Sequence, residues 1–276
     1  MKTWLITGAS RGLGRAIAEE VLARGDNVIA AIRKVTDLGD LAVQFPETLL
    51  VVAMDATDGD SMKTAVAAAV KKWPVIDILI NNAGTGMHGA IEEVSHEETQ
   101  RAFEINVFGL LRMTRTVLPV MRAQGFGHII NISSVAGLVA APGTGIYAAT
   151  KFAVEGATES MDHELKPLGI QVTLIEPGPF RTDFYGSSFT SAKNKIADYA
   201  DTAAKRSSTL REGSGQQPGD PVKAAKAICD IGRAPDAPLR LLLGNKAVNL
   251  VKERYAARQA EREKWETVSR ATDFDT

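Results

Sequence analysis

The chain has 276 residues, of which 45% are hydrophobic, 24% charged and 6% aromatic, with 32 Lys+Arg against 33 Asp+Glu for a net charge of −1. That balance is typical of a globular protein, and it leaves no cationic excess with which to neutralise a nucleic-acid backbone. Cys229 is the sole cysteine, which excludes an internal disulfide and a cysteine-cluster metal site. The opening MKTWLITG is too brief an apolar stretch for a signal peptide, and no 18-residue apolar run follows. The expected location is therefore cytoplasmic, with neither a membrane nor a nucleic acid as partner.

Seven short β-branched runs follow in chain order: Lys2–Thr7, Asn27–Arg33, Leu49–Met54, Ile76–Ile80, His128–Ile132, Gln171–Ile175 and Leu239–Leu243. Most are apolar throughout, as parallel strands buried on both faces must be. Helix-like segments separate them. Ser95 with Glu98 three residues on has the form of a capping box, and Asp220-Pro221 offers an N-cap followed by Pro at the first helical position. The repetition runs from end to end with no linker. It predicts one α/β domain, residues 1–276, built as a doubly wound parallel sheet with helices on both faces. Residues 185–219 interrupt the alternation and read as a substrate lid, with a solvated loop as the alternative. Residues 252–270 mix charges of both signs and read as a surface helix, with Arg254, Arg258, Arg262 and Glu266 on one i,i+4 row.

Four motifs lie along this order. Thr7-Gly8-Ala9-Ser10-Arg11-Gly12-Leu13-Gly14 stands between the first strand and the first helix. Glycines there permit a tight turn and let backbone N–H groups approach a pyrophosphate, which the positive end of the helix favours. The second strand ends Ile32-Arg33-Lys34 with no acid to pair with ribose hydroxyls. Arg33 and Arg11 together suit a 2′-phosphate and hence NADP, the alternative being two ordinary surface arginines. Asn81-Asn82-Ala83-Gly84 reads as a strand-ending turn. Ser133-Ser134 ends a later strand, and Tyr147 and Lys151, four apart, share one face of a helix beginning near Tyr147. A neighbouring ammonium would favour the phenolate and draw Tyr147 toward working pH.

Together, Thr7 through Gly14, Asn81 to Gly84, Ser134, Tyr147 and Lys151 resemble the short-chain dehydrogenase/reductase family, from Lys2 to about Leu243. Glu176-Pro177-Gly178-Pro179-Phe180-Arg181-Thr182-Asp183-Phe184 is similar to the 17β-hydroxysteroid dehydrogenase-like and carbonyl reductase-like subgroup. The resemblance implies a Rossmann fold and four catalytic residues. Asn106 would hold a water in a proton relay, and Ser134 would polarise the substrate carbonyl. Tyr147 would exchange the proton, and Lys151 would bind the nicotinamide ribose and lower the Tyr147 pKa. The glycine turn (Gly8, Ser10, Arg11, Gly12, Leu13, Gly14) would take the pyrophosphate side, and Asp55 would contact the adenine amino group. Asn82, Ala83 and Gly84 would line the adenosine, with Pro177, Gly178 and Thr182 flanking the nicotinamide. Ile32 replaces the acid of NAD-using members, so NADPH is expected over NADH.

The function so implied is NADP(H)-dependent hydride transfer to or from the carbonyl or secondary alcohol of a small, hydrophobic substrate. A non-catalytic NADP-binding regulator on the same fold is the alternative, although such a protein would be expected to lack Tyr147 or Lys151. An epimerase or dehydratase would bring a separate substrate domain. The candidate substrate walls are Met87, Leu138, Val139, Pro142, Pro179, Phe180, Phe184 and Tyr185. Arg181 reads equally as a carboxylate clamp or an exposed arginine, and His88 as a loop histidine. No metal site is expected, and the family implies a homodimer or homotetramer.

Overall fold

Runs such as Trp4-Leu5-Ile6 and Val28-Ile29-Ala30 have no polar face to give to water, so they fold only where both sides of a sheet are covered. The computed structural model describes residues 1–186 and 188–274. Its first half comprises β1 (Thr3–Thr7), α1 (Gly12–Ala23), β2 (Asn27–Ile32), α2 (Gly39–Gln44), β3 (Leu49–Ala53), α3 (Gly59–Lys72), β4 (Ile78–Asn81), β5 (Gly86–His88), α4 (His96–Phe103) and α5 (Leu110–Gln124). There follow β6 (Gly127–Ile132), α6 (Gly145–Leu165), β7 (Ile170–Pro177), β8 (Phe189–Ser191), α7 (Lys205–Glu212), α8 (Pro221–Arg233), β9 (Arg240–Leu243) and α9 (Asn245–Arg270).

Among the described residues seven strands form one parallel sheet in the order β3-β2-β1-β4-β6-β7-β9. Successive side chains leave opposite faces of each strand. Trp4 and Ile6 thus pack with Val28, Ile130 and Ile228 in one apolar layer, while Leu5 packs with Ile29, Leu79 and Val117 in the other. The strand order reverses between β1 and β4, and a ligand crevice opens at such a switch point beyond the carboxyl ends of the strands.

The predicted helix starts are built as expected. Ser95 and Glu98 form a full capping box, and Asp220 accepts from Val222 N (2.8 Å) ahead of Pro221; Asp58, which the sequence reading did not single out, likewise accepts from Asp60 N (2.9 Å) and Ser61 N (3.3 Å). Each cap contributes about 1 kcal/mol. At the opposite end of the sheet from the crevice, Trp4 Nε1 donates to the buried Asp26 (2.9 Å), which is also ion-paired with Arg233.

Four features depart from the sequence reading. Gly86–His88 and Phe189–Ser191 form a separate two-stranded sheet, each strand too short to leave a pattern. The strand expected at Ile76–Ile80 pairs over Ile78–Asn81, which draws Asn81 inside the sheet. Glu104–Gly109 is a π-helical turn joining α4 to α5. The final helix begins at Asn245 rather than Lys252, and only Ala247 and Val251 of its residues are buried. Among the described residues no helix is long and apolar enough to cross a membrane, and no group of three His, Cys, Asp or Glu gathers into a metal site.

Candidate active site

The glycine turn and the Asn-Asn-Ala-Gly turn prove to be two halves of one clamp. Gly8 and Gly12 hold positive φ values of 67° and 57°, where a side chain would be strained. A Cβ on Gly8 would stand 2.9 Å from Ala83 Cα. Asn82 Nδ2 donates to Thr7 O (3.0 Å) and Gly8 O (3.1 Å), while Thr7 Oγ1 accepts from Asn82 N and Ala83 N, both at 3.0 Å. Gly14 does not line the crevice, contrary to expectation. It lies against Asn82 Nδ2 and Gly8 O, where any side chain would collide, so its role is to let α1 close on the clamp.

Above the clamp lies a cleft of about 1280 Å³. One end is lined by Gly8, Ser10, Arg11, Gly12, Leu13 and Arg33, with Asp55, Asn82, Ala83 and Gly84 beside them. Ser134, Tyr147, Lys151, Pro177, Gly178 and Thr182 line the other. Asp55 accepts from Thr57 N and Thr57 Oγ1, both at 2.8 Å, and these bonds hold its carboxyl below the usual range. Arg33 and Arg101 add weaker cationic influence on Asp55. Arg101 also lines the cleft, and nothing in its sequence context on α4 marked it out. Arg11 Nη2 donates to Ser188 Oγ (2.7 Å), so this arginine joins the glycine turn to the inserted segment.

Tyr147 and Lys151 sit on the first turns of α6, 9% and 6% exposed, with Lys151 Nζ 5.9 Å from the Tyr147 ring centroid. Lys151 Nζ donates to Ile132 O (2.8 Å) at the end of β6. Ser134 follows that strand and caps the next turn by accepting from Ala136 N (3.1 Å). Burial pushes the Tyr147 phenol up, countered by a hydrogen bond with Ser134, and burial brings Lys151 down to about 8 against the pull of Glu155. The lowered phenol expected from the Tyr/Lys pair is thus not what the structure holds. Desolvation of the phenolate is the largest influence on it.

Asn106 lies behind the cleft wall. It is 1% exposed, on the π-helical turn, and does not line the cleft. Its Oδ1 accepts from Thr85 N (2.8 Å), and its Nδ2 donates to Thr85 O (2.8 Å) and Thr150 Oγ1 (3.0 Å). A Cβ on Gly84 would stand 3.3 Å from Asn106 Oδ1 and 4.0 Å from Lys151 Nζ, so Asn106 braces the floor beneath Lys151. Single π turns inside α-helices recur at functional sites.

The inserted segment lies over the cleft. It is fastened by Ala192 N to His88 O (2.7 Å), Lys193 N to Glu98 Oε1 (3.1 Å), Ile196 N to Glu93 Oε1 (3.0 Å) and Tyr199 Oη to Glu92 Oε2 (2.7 Å). Phe189, Arg206, Thr209, Leu210 and Gln216 from it line the cleft. Phe184 stands 5.9 Å from Tyr147, 5.7 Å from Tyr185 and 5.7 Å from Phe189, ring centre to ring centre. Of the expected walls, Val139, Pro179, Phe180, Phe184 and Tyr185 line the cleft. Met87, Leu138 and Pro142 do not. Met87 packs behind Tyr147, Leu138 packs on Val251, and Pro142 is exposed. Arg181 is exposed, its Nε donating to Gln217 O (3.2 Å). His88 is a buried strand residue against Phe189, neither ring nitrogen has a partner, and desolvation brings it down to about 4.

Residues 2–193 match the family model described as short chain dehydrogenase. Oxidoreductase BOA17 of Botryotinia fuckeliana is 37% identical over 98% of this chain and 99% of its own. The 3-ketodihydrosphingosine reductase of Bacteroides thetaiotaomicron is 37% identical over 87% of each chain. Among solved structures, a short-chain dehydrogenase from Streptomyces avermitilis superposes with a TM-score of 0.93 at 40% identity, covering 99% of both chains. More distant structures of the same fold hold NAD, 5-hydroxy-NADP or NADP+. With its sheet order, its glycine clamp and matches that span the chain, this protein is an oxidoreductase of the short-chain dehydrogenase family.

Proposed function

We propose that the protein is an NADP(H)-dependent oxidoreductase acting on the carbonyl or secondary alcohol of a small, mostly apolar substrate. The observation that carries this reading is the meeting of Ser134, Tyr147 and Lys151 in the same cleft as the Gly8–Gly12 turn and the cationic Arg11 and Arg33. The residues fit a dinucleotide: a clamp with no room for side chains faces the cleft, and Asp55 stands ready for a base amine. When bound, the nicotinamide supplies or takes up the hydride. Gly8, Ser10, Gly12 and Leu13 would hold the pyrophosphate against the α1 N-terminus, and Arg11 and Arg33 a 2′-phosphate. Pro177, Gly178 and Thr182 would seat the nicotinamide side.

In reduction, Ser134 holds the substrate oxygen and Tyr147 Oη gives it a proton. Burial suits that task, because it keeps the phenol protonated through the neutral range. Lys151 would hold the ribose, and Asn106 would brace Gly84 and Thr85 beside it. The rings of Phe184, Tyr185 and Phe189 favour an apolar carbonyl compound and exclude water from it.

The test is NADPH oxidation against aliphatic, steroid and aromatic carbonyls, with 3-ketodihydrosphingosine included because a relative is named for it. Tyr147→Phe should lose roughly 10²–10⁴-fold in turnover while binding NADPH as before. Full activity in that variant would overturn the reading.

A further inference from the structure

Behind the Tyr147/Lys151 pair lies a buried charged cluster that the proposed reaction does not use. Glu155 is four residues after Lys151 on α6, one turn further along the same face, and only 5% exposed. Glu176, 1% exposed, comes from β7 immediately before Pro177-Gly178. Arg240 of β9 reaches both, with Nε 3.3 Å from Glu155 Oε2 and 3.7 Å from Glu176 Oε1, and its Nη2 donates to Glu159 Oε2 at 2.6 Å. Glu155 Oε1, Glu176 Oε1 and the Ser133 hydroxyl are all enclosed without a hydrogen-bond partner. Gly137, in the turn that follows Ser134, is pressed against Ser133 Oγ and the Glu155 side chain. A Cβ there would stand 2.8 Å from Ser133 Oγ and 3.2 Å from Glu155 Oε1.

We propose that Glu155 is a positioning residue whose carboxylate, one helical turn behind Lys151 and held by Arg240 and Glu176, keeps the buried Lys151 ammonium charged for the ribose of a nicotinamide cofactor. The inference rests on the assignment of Lys151 to that ribose.

The charges support it. Among the described residues no carboxylate lies within salt-bridge distance of Lys151 and its hydrogen bond is to a neutral carbonyl, so the carboxylate one turn away is the charge that supports it. Burial and, after it, Glu155 raise Glu176 to about 7, and Arg240 lies nearer Glu155 than Glu176. The ionisable groups around the cluster are Lys151, Tyr147 and Glu159 on α6, Glu176 on β7 and Arg240 on β9. Arg240 binds both Glu155 and Glu159, and of the two Glu155 is the buried one and the nearer to Lys151 along α6.

NADPH binding, read by the fluorescence enhancement of NADPH itself between pH 7 and 10, tests the proposal without any substrate. In the wild-type protein affinity should fall as Lys151 loses its proton. Glu155→Gln should move the midpoint of that fall down by about one pH unit, and Glu155→Asp should restore part of the shift. Arg240→Gln should move it up, because the carboxylate of Glu155 then loses the cation that offsets it. A purely structural role would weaken binding at every pH and leave the midpoint in place. An unmoved midpoint in Glu155→Gln overturns the proposal. If that variant does not fold, Arg240→Gln decides alone, and a midpoint that stays or falls rejects it. Lys151→Met separates the two readings. If it abolishes the pH dependence, the ribose assignment stands and the Glu155 result is interpretable; if the dependence persists, the Lys151 assignment itself fails.

Discussion

Burial moves Tyr147 and Lys151 in opposite senses, the phenol up and the ammonium down to about 8. For a reductase the first shift is useful, since the proton to be donated is present at neutral pH. The second sets an upper edge. NADPH-dependent reduction should hold between pH 6 and 7.5 and decline above about 8 as Lys151 is neutralised, which a kcat/KM profile against pH would show. At the other end of the cleft, Arg33→Ala should weaken NADPH about tenfold and leave NADH unchanged, since one charge-assisted phosphate contact contributes on the order of 1.5 kcal/mol. Parallel titrations of both nucleotides check it. Ser134, Tyr147 and Lys151, which line one cleft, were legible in the sequence through the family resemblance and the four-residue spacing of Tyr147 and Lys151. Glu155 and Glu176 were not. A glutamate in a helix reads as a solvated residue, and the partner that explains its burial, Arg240, is 85 residues away.

The inserted segment shows what patterning loses at the scale of an element. Gly86–His88 and Phe189–Ser191 have three residues each, fewer than any alternation needs, yet their pairing fixes where Phe189 meets Phe184. The acids that fasten the segment lie before and within α4, far from it in sequence. Glu93 is the deepest, accepting from Ala90 N (2.8 Å) and Ile196 N (3.0 Å). The backbone bond from Ile196 leads the causes that hold its carboxyl below the ordinary value. A depressed carboxylate contributes stability above its unfolded pKa, and that contribution fades as pH falls through the folded value. Amide exchange across residues 192–199 should therefore stay protected from neutral pH to about 5, and Glu93→Gln should speed it at pH 7 without lowering the global melting temperature appreciably. The capping box of α4 is a separate prop. Ser95→Ala should cost about 1 kcal/mol, measurable by denaturant unfolding.

Across the whole molecule the parallel sheet was the most legible level, since most of its seven strands are apolar runs that only two covered faces can accommodate. What escaped was the fate of polar residues inside it. His128 on β6 is buried with Nε2 2.9 Å from Thr173 Oγ1, and desolvation brings it, like His88, to about 4. The unfolded chain binds protons on both imidazoles from about pH 6.5 downward, whereas the folded chain does not until near 4. Melting temperature should fall over that window, and His88→Phe should flatten the fall. Thr7 and Asn82 carry a different consequence. Their mutual bonds stitch β1 to the chain leaving β4 across 75 residues of sequence, so the floor of the cleft does not exist until those distant strands have docked. A partly folded chain that has formed only its first two strands and α1 owns every glycine of the turn but no site. Added nucleotide should accordingly favour the complete fold and no fragment of it, adding about 2.7 kcal/mol to unfolding at a hundredfold excess over its Kd. The dinucleotide is then a sensor of finished folding as much as a reagent.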